Sequence, residues 1–287
     1  MAEPVRRAPG VRTRWRRAAR IAWLTLATTL LACAEPADAP PETMPSGARP
    51  AAPGEFRDLA EAMSHPALTV TVVDKGEHDV TLFALLDLHQ LEPWLVQAAG
   101  EGVSVADAMD EQDLLLALGS GFVTQLNVLE PLGLLQRNGE VLNDVEPHGY
   151  TRILGISDRG LGVVHKQNYE RGLFHSALQV GPGIIEQGEL DISERDLQRP
   201  KYFRSVLALC GRTAAAGISL VPMNLRTLGE SAQALFAQRG LACDEMVNFA
   251  GDRQAVLAVR DGERVLFHGD IDAQKVSFVG FRTPGAP

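Results

Sequence analysis

The sequence is organised around residues 176–190, which read Ser-Ala-Leu-Gln-Val-Gly-Pro-Gly-Ile-Ile-Glu-Gln-Gly-Glu-Leu. An apolar, strand-like approach meets a Gly-Pro-Gly break at residues 181–183, after which the apolar run resumes. Glycine on both sides of Pro182 permits a ligand to approach the backbone closely, and Gln179 can both donate and accept hydrogen bonds. The same pattern is typical of a plain turn between two strands, so both interpretations stand at this point.

The chain begins with a pattern typical of a secretory signal. Seven arginines precede an uncharged apolar run at residues 21–32, which is the charged-then-apolar order of an export signal. As a helix this run rises only about 18 Å, less than the ~30 Å of a hydrocarbon core, which disfavours a transmembrane anchor. It ends in Leu-Leu-Ala-Cys at residues 30–33, which resembles the lipobox of bacterial lipoproteins. Residues 1–32 are therefore predicted to be a signal peptide, and the resemblance implies that Cys33 carries the lipid.

Residues 33–54 are rich in proline and alanine. Such a composition cannot bury enough apolar surface to offset the entropy of ordering, so we expect a tether that holds a folded domain away from a membrane. Residues 55–287 show no internal repeat and no second linker, which predicts a single domain. We expect a protein that is exported and lipid-anchored to the bacterial membrane, on its periplasmic or extracellular face.

The predicted mature chain is strongly acidic. The whole sequence has 27 basic and 36 acidic residues, and residues 1–32 hold seven arginines and one glutamate, so 20 basic and 35 acidic residues remain and give a net charge of −15. A surface of that charge is unfavourable for nucleic acids, and no nucleic-acid partner is predicted.

Two cysteines, Cys210 and Cys243, remain once Cys33 carries lipid. In an oxidising compartment they could pair and close a loop of about 30 residues, which would stabilise the fold by roughly 3 to 4 kcal/mol. Two buried free thiols are the alternative. The seven histidines are scattered without metal-ligand spacing, so neither a metal nor another cofactor is predicted.

Short apolar runs separated by turn signals predict strands that pair mostly as hairpins. The clearest pairs are residues 68–73 with 80–86, 153–156 with 161–165, and 255–259 with 264–268. Helices are predicted at residues 91–99, after a cap at Ser104, and at residues 228–239. The predicted class is α+β, a single domain of mainly antiparallel strands with a few packed helices.

The order of five motifs along the chain is more informative than any one of them. They are Gly-Ser-Gly-Phe at 119–122, Pro-Leu-Gly-Leu-Leu-Gln-Arg-Asn-Gly at 131–139, Gln-Val-Gly-Pro at 179–182, Arg204 ahead of a strand, and Asn-Phe-Ala-Gly-Asp at 248–252. This order resembles the phosphodiester glycosidase domain family, which contains the enzyme that removes N-acetylglucosamine from a sugar phosphodiester. The resemblance covers roughly residues 68–281.

The sequence departs from the family pattern at three places. Family members have Asn-Gly-Gly or Asn-Ala-Gly at the position of residues 119–121, and they have serine at the position of Val180. Their late Asp-Gly-Gly becomes Ala-Gly-Asp at residues 250–252, which removes a carboxylate from its expected place.

The resemblance implies roles for particular residues. Cleavage of a glycosyl phosphodiester requires a carboxylate at the anomeric centre and a cation that holds the phosphate. Arg204 is the implied phosphate ligand, and Asp252 is the implied substitute carboxylate, because alternate residues of a strand share a face. In a turn they would not share one. The implied ligand-binding residues are Gln179, Gly181, Pro182, Ser120 and Gly121.

Two functions of different class remain open. The chain is either an exported lipoprotein that hydrolyses a glycosyl phosphodiester in the cell envelope, or a catalytically inactive relative that binds glycan or a protein partner there. Turnover of a sugar-1-phosphodiester would distinguish the two.

Overall fold

The computed structural model describes residues 50–285 except 64, 99, 101, 126 and 127. The predicted signal peptide, Cys33 and most of the predicted tether lie outside the described residues. Ala51 is buried and donates its N–H to the carbonyl of Phe267 at 2.8 Å, so the packed domain already includes the last residues of the predicted tether. Among the described residues, no helix is long and apolar enough to cross a membrane.

In this part of the chain, three α-helices accompany nineteen strands. The helices are α1 (Pro53–Ala62), α2 (Val105–Glu111) and α3 (Leu225–Arg239). The strands are β1 (Leu68–Asp74), β2 (Val80–Asp87), β3 (Glu92–Gln97), β4 (Leu114–Leu118), β5 (Val123–Gln125), β6 (Val128–Pro131), β7 (Leu135–Arg137), β8 (Glu140–Asn143), β9 (Arg152–Ser157), β10 (Gly160–His165), β11 (Ser176–Val180), β12 (Gly183–Glu186), β13 (Glu189–Leu190), β14 (Ser205–Cys210), β15 (Thr213–Ser219), β16 (Glu245–Asn248), β17 (Val256–Asp261), β18 (Arg264–Gly269) and β19 (Ser277–Arg282).

The strands form four antiparallel sheets within the described residues. The largest sheet has seven strands in the order β1-β2-β15-β14-β16-β12-β13. Two sheets of five strands have the orders β10-β9-β11-β7-β8 and β18-β17-β4-β19-β3, and β5 pairs with β6 in a ribbon of two. The predicted hairpins β1–β2, β9–β10 and β17–β18 are all present.

The fold is mainly β, so the predicted α+β class is wrong. Residues 91–99, predicted as a helix, contain strand β3, which pairs with β19. Leu95 belongs to one apolar core and Val96 to another, so both faces of β3 are covered at this point. A strand buried on both faces loses the alternation that identifies strands, and its apolar spacing then imitates that of a helix. Pro93 is tolerated because β3 lies at the edge of its sheet.

The main apolar core lies between the seven-stranded sheet and the two five-stranded sheets. Helix α3 packs on the opposite face of the large sheet, and α2 packs on the outer face of the sheet that contains β4. Along β14, Val206 faces α3 whereas Leu207 faces the main core. The faces of these sheets are therefore covered by other elements. Loops from different sheets meet at the ends of the strands.

A disulfide joins Cys210 to Cys243 and decides between the two alternatives left open by the sequence. Cys210 ends β14, and Cys243 lies in the connection from α3 to β16. The bond therefore ties the end of the connection that carries α3 to the sheet on which α3 packs. The two cysteines are 33 residues apart, and closing a loop of that size stabilises a fold by roughly 3 to 4 kcal/mol in the chain-entropy model.

Lys275, two residues before β19, is fully buried. Its Nζ has no hydrogen-bond partner in the described part of the chain. Burial lowers the pKa of Lys275 from 10.5 to about 8, against a smaller opposing effect of Asp270. The folded state therefore binds this proton more weakly than the unfolded state does, and the charged form destabilises the fold.

We expect Lys275→Met to stabilise the protein at pH 7, by up to about 3 kcal/mol. The destabilising effect of the charge is fully present below pH 8 and fades as the pH rises toward 10.5, so the difference between variant and wild type should shrink over that interval. Urea unfolding at pH 7 and at about pH 10 measures it. Exposed Lys75→Met is the matched control, with no change expected. A gain that stays constant with pH would contradict this account.

Candidate functional site

The motif segments of the sequence meet where strand β16 ends. Backbone hydrogen bonds join residues 248–252 to three of the other segments: Gly181 N to Asn248 O at 2.8 Å, Phe249 N to Ser205 O at 3.0 Å, Ala250 N to Ser120 O at 3.1 Å, and Asp252 N to Phe203 O at 2.9 Å. The 131–139 segment is joined to the group through Gln179, whose N–H donates to the carbonyl of Leu134 at 2.8 Å. Loops that are far apart in the sequence are thus neighbours at one end of the sheets. What each side chain does there differs from residue to residue.

Gly119 lies against the ring of Phe249. Its φ is +70°, and a Cβ at this position would lie 2.6 Å from the Cγ atom of Phe249. Phe249 is fully buried, so its ring cannot move aside without exposing or displacing core. The family pattern has asparagine at this position, and here the phenyl ring fills the space where that side chain would begin.

Ser120 and Gly121 are enclosed by their neighbours. Ser120 is fully buried, and its Oγ lies 3.0 Å from Oε1 of Gln254 and 3.1 Å from the carbonyl oxygen of Gly121. The N–H of Gly121 donates to the carbonyl of Ser277 at 2.9 Å, and a Cβ on Gly121 would lie 2.3 Å from the Oγ of Ser277. Both residues therefore join loop to sheet and leave no polar group exposed for a ligand.

Gln179 uses all four hydrogen-bonding positions of its amide within the protein. Its Oε1 accepts from the N–H groups of Leu134 (3.0 Å) and Glu146 (2.8 Å), and its Nε2 donates to the carbonyls of Glu146 (3.0 Å) and Tyr150 (2.7 Å). A Cβ on Gly133 would lie 2.6 Å from Oε1 of Gln179, so glycine is required there. Gln179 is 1% exposed and holds two loops in place.

The Gly181–Pro182 break packs against β16. Asn248 donates its backbone N–H to Pro182 O (3.2 Å) and its Nδ2 to Gly181 O (3.3 Å). Gly181 has a φ of +128°, and a Cβ there would lie 2.8 Å from the backbone nitrogen of Thr151. Close approach does require glycine at this break, as the sequence suggested, but the group that approaches is the protein's own backbone.

Arg204 is different, because its guanidinium has no acceptor among the described residues. It is half-buried, no carboxylate of the described residues lies within ion-pair distance, and its Nε has no hydrogen-bond partner there. Its Cζ lies 4.9 Å from the centre of the Tyr202 ring. Burial lowers the pKa of Arg204, while the more distant Asp196 and Asp252 act to raise it. An arginine nevertheless stays charged, so a partly dehydrated cation is left without a counter-ion.

Asp252 lies beside Arg204 but on a turn. Strand β16 ends at Asn248, and Asp252 begins a 3₁₀ turn with a φ of +57°. Asp252 therefore does not share a strand face with residue 250. Ala250, which stands where the family pattern has its carboxylate, is buried. A Cβ on Gly251 would lie 3.5 Å from Nη1 of Arg204, which places the Asp252 turn next to the guanidinium. The side chain of Asp252 is exposed.

Further cations precede Arg204 in the same segment. Arg195, Arg199 and Lys201 are exposed and form no ion pair among the described residues. The segment is held to the domain by Asn224, whose Nδ2 donates to the carbonyls of Asp196 and Arg199, both at 2.9 Å. With Arg204 these cations outnumber the acidic residues of the segment 191–204 by one, although the predicted mature chain has a net charge of −15. No motif marks this local excess of cations.

Two aromatic rings of this region were also missed. Tyr202 is 39% exposed beside Arg204. The ring of His268 lies 5.3 Å from that of Phe203, and burial lowers the pKa of His268, which keeps its imidazole neutral at pH 7. No sequence motif marks His268, because it reaches this place through the pairing of β18 with β17. Within the described residues, no group of acidic, histidine or cysteine side chains is arranged to hold a metal ion.

No family model matches this chain, and no curated protein matches it. Solved structures do match. The catalytic domain of zebrafish N-acetylglucosamine-1-phosphodiester alpha-N-acetylglucosaminidase, auto-inhibited by its pro-peptide, aligns with a TM-score of 0.53 and 10% identity, over 75% of this chain and 82% of that chain. The described domain shares that fold. A hypothetical protein from Synechocystis aligns at a TM-score of 0.49 and 11% identity, over 76% of this chain and 64% of that one. At such identity the relationship is one of fold, and the chemistry has to be argued from the residues above.

Replacing Gln179 by leucine should lower the free energy of unfolding by on the order of 3 kcal/mol. The substitution leaves four backbone groups of two loops without their partner, and each buried group without a partner costs about 1 to 3 kcal/mol, reduced where water can reach it. Urea unfolding measures the loss. Gln238→Leu on the exposed side of α3 is the control, with a change below about 0.5 kcal/mol. Equal stability of the two variants would show that the amide is dispensable.

Proposed function

We propose that this domain binds an anionic group of an envelope glycan at Arg204, and that the group is the phosphate of a sugar phosphodiester. The observation that carries the proposal is the half-buried guanidinium, which has no acceptor in the part of the chain that the structure describes. A phosphate can accept two parallel hydrogen bonds from such a planar cation, and bonds of this charge-assisted kind contribute about 1.5 to 3 kcal/mol.

The surroundings of Arg204 suit this ligand. The Tyr202 ring lies under the guanidinium, which restricts its orientation and offers an apolar surface to a neighbouring sugar. The exposed Arg195, Arg199 and Lys201 balance Asp191, Glu194 and Asp196 in the same segment, so residues 191–204 have a net charge of +1 with Arg204 included. A local excess of positive charge attracts anions. The ligand is thus an anion that is flanked by a partly apolar group.

Binding without hydrolysis accounts best for the remaining positions. The space of the family asparagine is filled by Phe249, and the family carboxylate is replaced by buried Ala250. Ser120 and Gln179 have their polar groups bonded within the protein. Loss of a general acid or base alone reduces rates by about 10² to 10⁴. Here the asparagine expected at position 119 is absent as well, and the side chains of Ser120 and Gln179 are bonded within the protein.

Hydrolysis is the second candidate, and Asp252 favours it. Its carboxylate is exposed beside Arg204 and close enough to act on the pKa of that guanidinium. A phosphodiester held by Arg204 could therefore present its anomeric carbon to this carboxylate. Arg204 on phosphate and Asp252 as base, nucleophile or acid keep the roles of the sequence analysis. The residues expected there to bind the ligand, Gln179, Gly181, Pro182, Ser120 and Gly121, instead position the loops around it.

We place this activity outside the cytoplasm, on a protein held to the membrane by lipid at Cys33. The disulfide between Cys210 and Cys243 supports an oxidising compartment, and the acidic surface argues against nucleic acid as a partner. A Cys33→Ser variant recovered in the soluble fraction, with wild type in the membrane fraction, would support the anchor. Equal distribution would remove it.

Arg204→Gln should weaken binding of N-acetylglucosamine-1-phosphate by at least about tenfold, because one bidentate charge-assisted contact is lost. Arg204→Lys should fall in between, since it keeps the charge without the planar fork. Titration calorimetry on the full-length chain measures both. The matched control is Arg212→Gln, which removes an exposed arginine at the other end of β14 and should leave affinity unchanged.

Turnover separates the two candidates. Release of N-acetylglucosamine from its methyl phosphodiester, lost in Asp252→Asn while affinity is kept, would establish the hydrolase. Binding without release would establish the non-catalytic site. Wild-type protein that binds neither compound, or binds them as tightly after Arg204→Gln, would remove the proposed site altogether.

A further inference from the structure

A cavity of about 340 Å³ lies away from the loops that meet around Arg204, although Arg137 and Asn138 in its wall belong to the 131–139 motif. Edge strand β3 forms one of its sides, and the turns of the β7–β8 and β9–β10 hairpins form others, together with the start of β11. Its volume is at the lower end of the ~300 to 1,000 Å³ range of ligand pockets. The lining residues belong to none of the segments around Arg204, so this is a separate location.

Trp94 supplies an aromatic surface to this cavity. The side chain is 37% exposed, which is unusual for so large an apolar group. The guanidinium of Arg282 lies 4.2 Å from the ring centre, and Glu92 holds Arg282 at an N–O distance of 3.4 Å. Arg282 is not among the residues that line the cavity. Its contact with the ring restricts the orientation of the indole.

Polar side chains surround the indole at the cavity wall. Asp158 and Asn138 are exposed, and their side chains form no hydrogen bond or ion pair among the described residues. His175 lines the same wall and has its Nδ1 atom 3.3 Å from the Oγ of Ser176. Hydrogen-bond donors and acceptors thus lie beside the Trp94 ring. Asn138 and Asp158 are on the turns of the β7–β8 and β9–β10 hairpins, which hold them in place.

We propose that this cavity is a saccharide-binding site, in which the C–H face of a neutral sugar packs on Trp94 while its hydroxyl groups bond to Asp158 and Asn138. The wall carries charges of both signs, since Arg137 accompanies Asp158. Glu92, which also lines the wall, is paired with Arg282 outside the lining. The wall therefore favours a neutral ligand, in contrast to the anion expected at Arg204.

A purely apolar occupant is disfavoured by the same residues. It would cover Asp158, Asn138 and His175 without offering them a hydrogen bond, and burying polar groups in this way costs about 1 to 3 kcal/mol each. A pyranose has an apolar face and a rim of hydroxyl groups, which matches one ring with polar neighbours. The size of the cavity suits one or two sugar rings.

Tryptophan fluorescence tests the site directly. The chain has three tryptophans, Trp15, Trp23 and Trp94, so the full-length protein carrying Trp15→Phe and Trp23→Phe reports on Trp94 alone. Titrations use N-acetylglucosamine, glucose, galactose and mannose as separate probes. We expect a saturable change of emission with at least one of them.

Three variants locate the binding. Asp158→Ala should weaken the affinity by about tenfold, as expected for loss of hydrogen bonds to a charged acceptor. Asp144→Ala, an exposed acid on the connection after β8, should not change it, and neither should Arg204→Gln. A lack of saturable change with all four sugars would overturn the proposal. So would a change that survives Asp158→Ala unaltered, or one that disappears with Arg204→Gln.

Discussion

The constraint on which this structure depends is that residues 248–252 leave strand β16 among buried loops, where every backbone group needs a partner. The N–H groups of residues 248, 249, 250 and 252 and the carbonyl of Asn248 find those partners on the segments around Ser120, Gly181 and Ser205. An unbonded buried group would cost about as much as a lost hydrogen bond, so none of these segments can shift without the others. The position of Arg204 beside Asp252 follows from this network and not from any direct contact between the two side chains.

The same network explains why so few polar groups remain for a ligand. Gln179 and Ser120 are the side chains that a motif-based analysis would assign to binding, yet both are bonded to neighbouring loops. Packing also fills the space beside Gly119. The ring of Phe249 lies where a side chain at position 119 would extend. The polar groups and the space at these positions are thus used for packing. Among the described residues, the guanidinium of Arg204 has no hydrogen-bond acceptor.

Local signals in the sequence predicted the hairpins β1–β2, β9–β10 and β17–β18, because a short turn between two apolar runs makes them neighbours in a sheet. The cap of α2 was also predictable, and Ser104 indeed accepts the N–H of Asp107 at 3.0 Å. Strand β3 was misread as a helix, because its burial on both faces is a property of the assembled sheets. Helix α3 begins at Leu225, three residues before the predicted start at residue 228, since Asn224 and Leu225 are recruited by contacts with the preceding segment.

The sequence by itself predicted that strands outnumber helices in the folded domain. Its resemblance to a known family implied that the segments 119–121, 179–182 and 248–252 belong to one arrangement with Arg204 and Asp252. Only the tertiary structure decided which of those residues remain free to act. A motif records residue types along the chain, whereas the partners of Gln179 or the ring beside Gly119 come from loops tens of residues away. The pairing of Cys210 with Cys243, the burial of Lys275 and the cavity beside Trp94 are of the same kind, because each requires that strands from different sheets be placed in space.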